Sequence, residues 1–260
     1  MAKLRVLCLG DVVADTGCEF IRERLWGIRK RGKIDAVIVN AENSAVGNGI
    51  DKTSSDMLFA AGADVLTTGN HVWRKKGTDA LLESNESILR PANFPEPCAG
   101  NGYIIVDCMG WKILVVSLLG TVFMEALDSP FRTLDRILER ERGNYDLCVV
   151  DFHAEATSEK RVMGFYLDGK VTAVVGTHTH VQTADEQILP KGTAYITDIG
   201  MTGPKNSVIG MDPEASIKRF VTSLPERYKL ADGSCIFNGC IFEINDENCR
   251  VLKINRINLR

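Results

Sequence analysis

Short apolar runs bounded by turn residues recur along the chain, and most of them are too short to form helices. Five runs are predicted as strands, over residues 4–9, 36–39, 65–68, 147–152 and 171–175. The helix-like segments are residues 18–30, 54–61, 78–84, 131–142, 158–167 and 213–224. This alternation predicts an α/β fold with largely parallel strand pairing in its first part.

Two segments depart from the alternation. Residues 102–107 and 111–118 have the pattern of an antiparallel hairpin, and so do residues 235–245 and 249–257. A system of mixed sheets flanked by helices, with two sheets packed face to face, accommodates both hairpins. The chain contains no Pro/Ser-rich linker, repeat or low-complexity tract, so we expect a single domain over residues 1–260.

Composition and charge narrow the range of partners. Hydrophobic residues make up 45% of the chain and charged residues 25%, as in a globular protein with a sizeable core. The net charge of −3 gives no general positive field, so we expect no stable binding to duplex nucleic acid. No apolar stretch approaches the roughly 18 residues of a membrane span, and the first apolar run is too short for a signal peptide. We therefore expect no membrane partner.

The cysteines indicate the cellular compartment in which the protein works. The sequence has eight, and no two of them form a C-x-x-C pair. Several lie in apolar runs, as Cys148 does, which is typical of reduced thiols in a protein core. We therefore predict a cytoplasmic protein. A zinc–thiolate site or a disulfide framework is the less favoured alternative.

The histidines are the strongest chemical signal. The chain has only four, and each follows a strand-like apolar run, while acidic and amide residues occupy similar positions after other runs. Because ligands bind at the carboxyl ends of the strands in open α/β sheets, we expect these side chains to converge. The candidate site residues are Asp11, Glu42, Asn43, Asn70, His71, His153, His178 and His180.

These residue types indicate a metal site. Imidazole and carboxylate together suit first-row metals such as manganese, iron and zinc, and the missing thiolates argue against a structural zinc site. His178 and His180 are two residues apart, so in an extended segment both would point toward one centre. Glu42 offers two oxygens and could bridge two ions. Two metals about 3.5–4 Å apart can stabilise the attacking and the leaving oxygen of a phosphoryl displacement.

The order of the motifs makes the signal specific. They are Leu9-Gly10-Asp11, Asn40-Ala41-Glu42-Asn43, Thr68-Gly69-Asn70-His71, Arg90-Pro91-Ala92-Asn93, Asp151-Phe152-His153, Gly176-Thr177-His178-Thr179-His180 and Asp198-Ile199-Gly200-Met201. This set, which runs nearly end to end, resembles the YmdB-like branch of the calcineurin-type metallophosphoesterase superfamily. The wider superfamily usually has histidine at the position of Val13 and aspartate at the position of Glu42. Val13 and Glu42 both resemble the residues that the YmdB-like branch usually has at these positions.

The resemblance implies a fold, a reaction and cofactors. The fold would be a metallophosphoesterase-like β-sandwich of mixed sheets flanked by helices, in αββα layers. The reaction would be hydrolysis of a small phosphodiester, such as a 2′,3′-cyclic nucleotide or an RNA end, by attack of metal-bound hydroxide. The cofactors would be two divalent or trivalent ions, iron or manganese first and zinc as an alternative. A homo-oligomer is compatible with the resemblance.

The same resemblance distributes the site residues between two ions. One ion would be held by Asp11, Glu42, Asn43 and His180, and the other by Glu42, Asn70, His153 and His178. His71 would lie beside the ions and act as general acid on the leaving alkoxide, a role open to an imidazole at neutral pH. No residue is assigned to the nucleoside part of a substrate.

Other functions fit parts of the pattern. A metal-dependent amidohydrolase also uses a His-x-His pair, but places it on the first strand of a barrel, whereas here the pair comes late. A regulatory protein that holds a nucleotide at the metals with little turnover would keep every ligand and would not need His71. Trp73 beside the basic turn could stack a base, although we favour a packed tryptophan there.

Overall fold

A computed structural model describes residues 3–227 and 229–260 of the chain. Its strands are β1 (Lys3–Leu9), β2 (Asp11–Val12), β3 (Ala36–Asn40), β4 (Val65–Thr67), β5 (Ile88–Leu89), β6 (Tyr103–Cys108), β7 (Trp111–Leu119), β8 (Leu147–His153), β9 (Ala173–Thr177), β10 (Gln187–Ile188), β11 (Ala194–Ile196), β12 (Met201–Pro204), β13 (Cys235–Asn245) and β14 (Val251–Leu259). Its helices are α1 (Ala14–Gly32), α2 (Lys52–Ala61), α3 (Thr78–Ser84), α4 (Pro130–Arg140), α5 (Thr157–Leu167), α6 (Pro213–Thr222) and a short 3₁₀ helix (Val72–Arg74).

The strands form two mixed sheets. The first has the order β2-β12-β13-β1-β3-β4-β5, with β14 paired to β13, and its strands β1, β3, β4 and β5 run parallel. The second has the order β10-β11-β9-β8-β7-β6, and its four central strands run parallel. Both predicted hairpins are confirmed, because β6 pairs antiparallel with β7 and β13 with β14.

The hydrophobic core has three layers. Inner faces of the two sheets pack on each other, with Val6 of β1 and Val149 of β8 in the same buried cluster. Helix α1 covers the outer face of the first sheet through Leu25, and helix α5 covers the second sheet through Met163. Burying such a side chain stabilises a fold by roughly 1.5–3 kcal/mol. The predicted αββα arrangement of mixed sheets and flanking helices is confirmed.

Helix α1 begins earlier than the sequence pattern predicted, at Ala14 instead of residue 18. Tertiary contacts cause the difference. The backbone N–H of Val13 donates to the carbonyl of Thr202, and that of Ala14 donates to the carbonyl of Asn43. A Cβ at Gly17 would lie 2.5 Å from the carbonyl oxygen of Thr202, so glycine here serves close packing against β12 and does not form a turn.

The strand predicted over residues 171–175 lies two residues further along the chain, as β9. Its register places Ala173 beside Val149 and Thr177 beside His153. The shift matters for function, because β9 therefore ends directly before His178. All eight cysteines are free and six are buried, as predicted. Among the described residues, no helix is both long and apolar enough to cross a membrane.

Candidate metal centre

The carboxyl ends of central strands from both sheets meet at one rim, where the predicted site residues lie. Asp11 opens β2 one residue after β1, Glu42 follows β3, His153 ends β8 and His178 follows β9. The side chains of Asp11, Glu42 and His153 are fully buried. All eight predicted residues belong to one connected set of contacts.

Asp11 depends on a close approach of two backbone segments. A Cβ at Gly10 would lie 1.7 Å from the carbonyl oxygen of Gly200, so only glycine fits before Asp11. Oδ2 of Asp11 accepts a hydrogen bond from the backbone N–H of His178 at 3.1 Å. Oδ1 is buried without a hydrogen-bond partner and lies 3.7 Å from Nε2 of His180. Oδ2 therefore positions the backbone of His178, and Oδ1 is free to bind a ligand.

The Glu42 carboxylate lies at the centre of the cluster. Its Oε1 atom is 3.0 Å from Nδ1 of His71 and 3.1 Å from Nε2 of His153. Neither contact has the geometry of a hydrogen bond, and Oε2 is likewise buried without a hydrogen-bond partner. A Cβ at Gly69 would lie 2.0 Å from Oε2, which requires glycine before Asn70. A buried carboxylate without partners is costly, and a cation among these groups would offset the cost.

His153 is oriented by polar groups on its outer side. Its Nδ1 atom lies 3.0 Å from Oγ1 of Thr177, and this hydroxyl donates to Oδ1 of Asp151 at 2.7 Å. Because the hydroxyl hydrogen goes to Asp151, Nδ1 donates to Thr177. The inner nitrogen, Nε2, is 3.0 Å from Nδ1 of His178 and 3.1 Å from Oδ1 of Asn70. An outer partner of this kind is typical of a histidine that binds a metal.

His178 and His180 reach the cluster from a bend, which residues 178–180 form and which we call the histidine bend. Their φ angles are +95° and +63°, in the left-handed region. The expectation that an extended segment points both side chains at one centre is therefore wrong. Asp198 holds the bend, since its Oδ2 atom accepts from the backbone N–H and the hydroxyl of Thr179 at 3.1 and 2.6 Å.

Each histidine of the bend also has an outer partner. Nε2 of His178 lies 3.1 Å from Oε2 of Glu155, and Nδ1 of His180 lies 2.9 Å from the carbonyl oxygen of Ile209. A carbonyl oxygen only accepts, so Nδ1 of His180 carries the hydrogen. The nitrogens available to a metal are then Nδ1 of His178 and Nε2 of His180.

The two asparagines differ in their contacts. Oδ1 of Asn70 lies 3.1 Å from Nε2 of His153, on the inner side of the cluster. Oδ1 of Asn43 lies 2.9 Å from Nδ1 of His71, and its Nδ2 atom lies 3.2 Å from Nε2 of His180. Asn43 therefore links His71 to the histidine bend, in addition to facing the site.

The contacts divide the residues into two groups. Ligand atoms of Glu42, His153 and His178 all lie within 4.8 Å of one another, with the side chain of Asn70 beside them. Asp11, Asn43 and His180 form the second group. The resemblance assigns these residues to two ligand sets that share Glu42, and this assignment stays a prediction.

The pKa values of the site residues are shifted by burial and by the charges of their neighbours. Burial acts to raise the pKa of Glu42, but the charges of His153 and His71 outweigh it and lower this pKa. Burial acts to lower the pKa of His153, yet the Glu42 and Asp11 carboxylates raise it to about 9. Burial, reinforced by the charge of His153, lowers the pKa of His178 to about 3. Burial raises the pKa of Asp11. The buried carboxylates thus favour positive charge within the cluster.

The sequence interpretation missed a buried ion pair behind the histidine bend. Nζ of Lys160 lies 2.8 Å from Oδ2 of Asp198, whose Oδ1 atom accepts from the backbone N–H of Gly200 at 2.8 Å. Asp198 follows β11, so its strand-end position was a signal that could have been used. A lysine within a helix normally extends into solvent, and nothing in the sequence marked Lys160 as buried.

Comparisons with known proteins agree with this fold and site. The sequence profile of the family described as YmdB-like protein matches residues 7–257. A Bacillus subtilis (strain 168) protein named 2′,3′-cyclic-nucleotide 2′-phosphodiesterase is 44% identical over 254 residues, which cover 98% of this chain and 96% of that protein.

Two solved structures have the same fold. A Mycoplasma pneumoniae protein described as a novel phosphatase aligns with a TM-score of 0.93 and 36% identity, covering 100% of this chain and 94% of that one. A Thermus thermophilus protein described as hypothetical aligns with a TM-score of 0.92 and 43% identity, covering 98% of each chain.

The two-sheet fold, the polar rim and these relatives define a phosphoric-ester hydrolase, which is the enzyme class that the sequence predicted. Within that class the chain belongs to the YmdB-like family. The amidohydrolase alternative is wrong, because the sandwich is not a barrel and its His-x-His pair lies after β9.

Proposed function

We propose that this chain is a dinuclear-metal phosphodiesterase that hydrolyses small phosphodiesters, with 2′,3′-cyclic nucleotides as the substrate class. The observation that carries the proposal is the buried Glu42 carboxylate, whose two oxygens lack donors and which lies among imidazole nitrogens. The name of the Bacillus subtilis relative supports this choice of substrate.

The ligands divide between two ions. Glu42, Asn70, His153 and His178 would hold one, and Asp11, Asn43, His180 and Glu42 would hold the other. The contact groups support this division, as do the outer partners that leave one nitrogen of each histidine free. Nitrogen and oxygen donors without thiolates favour iron or manganese, with zinc as the alternative.

The ions, when bound, supply an activated water as nucleophile and neutralise charge on the phosphoryl group. The chain itself supplies the proton for the leaving group. His71 is the residue for that proton. Its Nδ1 atom is occupied by Oδ1 of Asn43, which leaves Nε2 for the leaving oxygen. Its side chain is 20% exposed, unlike the fully buried His153, so a substrate can reach it.

The decisive experiment combines metal content with turnover. We expect elemental analysis of the purified protein to find about two ions per chain, and we expect Mn²⁺-dependent hydrolysis of bis-p-nitrophenyl phosphate and 2′,3′-cyclic AMP. Glu42→Gln removes the shared carboxylate charge and should lose both metal and activity. Asp232→Asn, a matched change at an exposed acidic residue, should lose neither. Turnover that survives complete chelation would contradict the proposal.

The regulatory alternative has its own signature in the same experiment. Two bound ions together with tight nucleotide binding and no turnover would favour it over the enzyme. The naming of the relatives as phosphodiesterase and phosphatase favours the enzyme. A cytoplasmic location, argued from the free cysteines, and a homo-oligomeric state stay predictions, as does action on RNA ends.

A further inference from the structure

Phe123 is an exposed aromatic residue near the candidate metal centre. Its side chain is 89% exposed, the highest value for a large hydrophobic residue in the described part of the chain. Its φ angle is +63°, which is uncommon for a bulky residue and costs conformational energy. Phe123 neither packs in the hydrophobic core nor belongs to the candidate metal ligands, so neither role explains its exposure and its φ angle.

The position of Phe123 follows from its short distance along the chain to Gly120, which contacts His153. Strand β7 ends at Leu119, which is the register partner of His153, and the backbone N–H of Gly120 donates to the carbonyl of His153 at 2.9 Å. Three residues span at most about 11 Å. The backbone of Phe123 therefore lies within about 11 Å of Gly120, at the same edge of the sheet as His153 and within the length of a nucleotide.

A buried carboxylate holds this segment in place. Oε1 of Glu159, on α5, accepts from the backbone N–H of Thr121 at 2.9 Å, and Oε2 accepts from the backbone N–H of Val122 at 3.2 Å. Glu159 is only 7% exposed. Glu159 therefore fixes the backbone of the two residues that precede Phe123.

A second aromatic ring borders the same edge. Trp73 lies two residues after His71 and packs edge-on against Phe94 with ring centroids 5.9 Å apart, which is the packing that the sequence favoured. It nevertheless stays 38% exposed, so part of the ring is open to a ligand. The residue before Phe94 ties this pair to the end of β7, because Asn93 accepts from the N–H of Leu119 and donates to its carbonyl, both at 2.9 Å.

We propose that Phe123 and Trp73 form an aromatic rim that stacks the base of a nucleotide substrate. Every base offers a π-face, so stacking of this kind tolerates all four bases and rejects none of them strongly. The rim would favour phosphodiesters that carry a heteroaromatic base over those that carry only a sugar. The inference rests on the proposed phosphodiesterase function and names the part of the substrate that the metal ligands do not touch.

The test compares a nucleotide with its base-free counterpart. Mn²⁺-loaded protein is assayed with 2′,3′-cyclic AMP and with ribose 2′,3′-cyclic phosphate. We expect Phe123→Ala to raise KM for the nucleotide about tenfold, the loss of one stacking contact, with kcat unchanged. KM for the base-free substrate should not change. Phe123→Trp should restore the lower KM, and Trp26→Ala, at an exposed aromatic residue on α1, is the matched control.

Three outcomes separate the possibilities. Equal effects of Phe123→Ala on both substrates, or no effect on either, would overturn the rim while leaving the proposed function intact. Wild-type protein that turns over neither substrate with metal bound would contradict the proposed function itself. An altered elution volume of Phe123→Ala in size-exclusion chromatography, with equal loss on both substrates, would assign the ring to contact between copies and overturn the proposal.

Discussion

In the candidate metal centre, the outer partner of a histidine decides which of its ring nitrogens is free to face the other site residues. Glu155 occupies Nε2 of His178, and the carbonyl of Ile209 occupies Nδ1 of His180. Two histidines separated by one residue therefore present different atoms to the cluster. The His-x-His spacing alone does not specify this, because the partners come from segments distant in sequence.

The variant His71→Ala tests whether His71 donates the proton to the leaving group. We expect kcat for 2′,3′-cyclic AMP to fall by about 10²–10³, because a general acid contributes on that order when the leaving group is an alkoxide. The loss for bis-p-nitrophenyl phosphate should be much smaller, since nitrophenolate leaves without a proton. Both are measured by steady-state kinetics on Mn²⁺-loaded protein.

Metal content supplies the control for that variant. His71→Ala should retain its ions, whereas His178→Ala should lose metal because His178 lies within the ligand cluster. Equal losses of rate on both substrates, together with lost metal, would assign His71 to metal binding and not to proton transfer.

A second prediction at this scale concerns Asp185 and pH. Burial acts to raise the pKa of Asp185, but hydrogen bonds from Thr197 and Thr183 outweigh it and lower this pKa. The ionised carboxylate therefore stabilises the fold above its unfolded pKa of about 3.9, and this stability disappears as pH falls through the lower folded value. We expect Asp185→Asn to lower Tm by about 2–5 °C at pH 7.

The difference in Tm between wild type and Asp185→Asn should shrink below about pH 4, because asparagine does not titrate. Thermal melts of metal-free protein between pH 3 and pH 7 measure it. Asp232→Asn, at an exposed aspartate, is the control and should show no such difference. A gap that stays constant with pH would show that the hydrogen-bond geometry, and not the charge, is what Asp185 contributes.

At the scale of elements, the histidine bend is held by groups from two neighbouring segments. Asp198 follows β11 and accepts from Thr179 within the bend, while Lys160 reaches the same carboxylate from α5. Side-chain exposure is 2% for Lys160 and 0% for Asp198. Removing one partner of a buried pair leaves an uncompensated charge, which is more costly than losing a surface pair.

Lys160→Met should therefore destabilise the protein by about 3–5 kcal/mol and weaken metal binding through the displaced bend. Urea denaturation measures the first effect and titration with Mn²⁺ the second. Lys170→Met is the matched control, because Lys170 pairs with Asp135 at 3.6 Å and both side chains are 46% exposed. We expect it to cost no more than about 1 kcal/mol. Similar losses of unfolding free energy for both variants would show that the buried pair contributes no more to stability than the exposed pair.

At the scale of the whole molecule, the candidate metal centre draws its residues from both sheets. Glu42 and Asn70 follow strands of the first sheet, whereas His153 and His178 come from the second. Ions bound there would link the two halves of the sandwich. Metal binding and global stability should therefore be coupled.

Saturating Mn²⁺ at about 100 times its Kd adds about 2.7 kcal/mol of stability. For a chain of this length we expect Tm to rise by about 5–10 °C over chelated protein, as measured by differential scanning calorimetry. The Glu42→Gln variant should lose most of this increase because the shared carboxylate charge is gone. An equal increase in that variant would locate the stabilising ion elsewhere.

Local pattern predicted the elements better than their boundaries. The two hairpins follow from alternating apolar runs joined by tight turns, which need no information from elsewhere in the chain. Helix α1 and strand β9 began at other residues than predicted, because contacts with Thr202 and the register against Val149 set their starts. Such contacts join segments far apart in sequence, so no local window contains them.

The sequence by itself predicted the chemistry of this protein. Polar residues placed after short apolar strands identify the candidate side chains, and their types favour a metal site. The order of the motifs, through its resemblance to the YmdB-like branch, adds hydrolysis of a phosphodiester. The tertiary structure alone decided how they meet: the left-handed histidine bend, the nitrogen that each histidine offers, and the buried Lys160 behind it. The reason is physical, since a side chain's type is a local property, whereas its orientation and burial depend on the segments that pack around it.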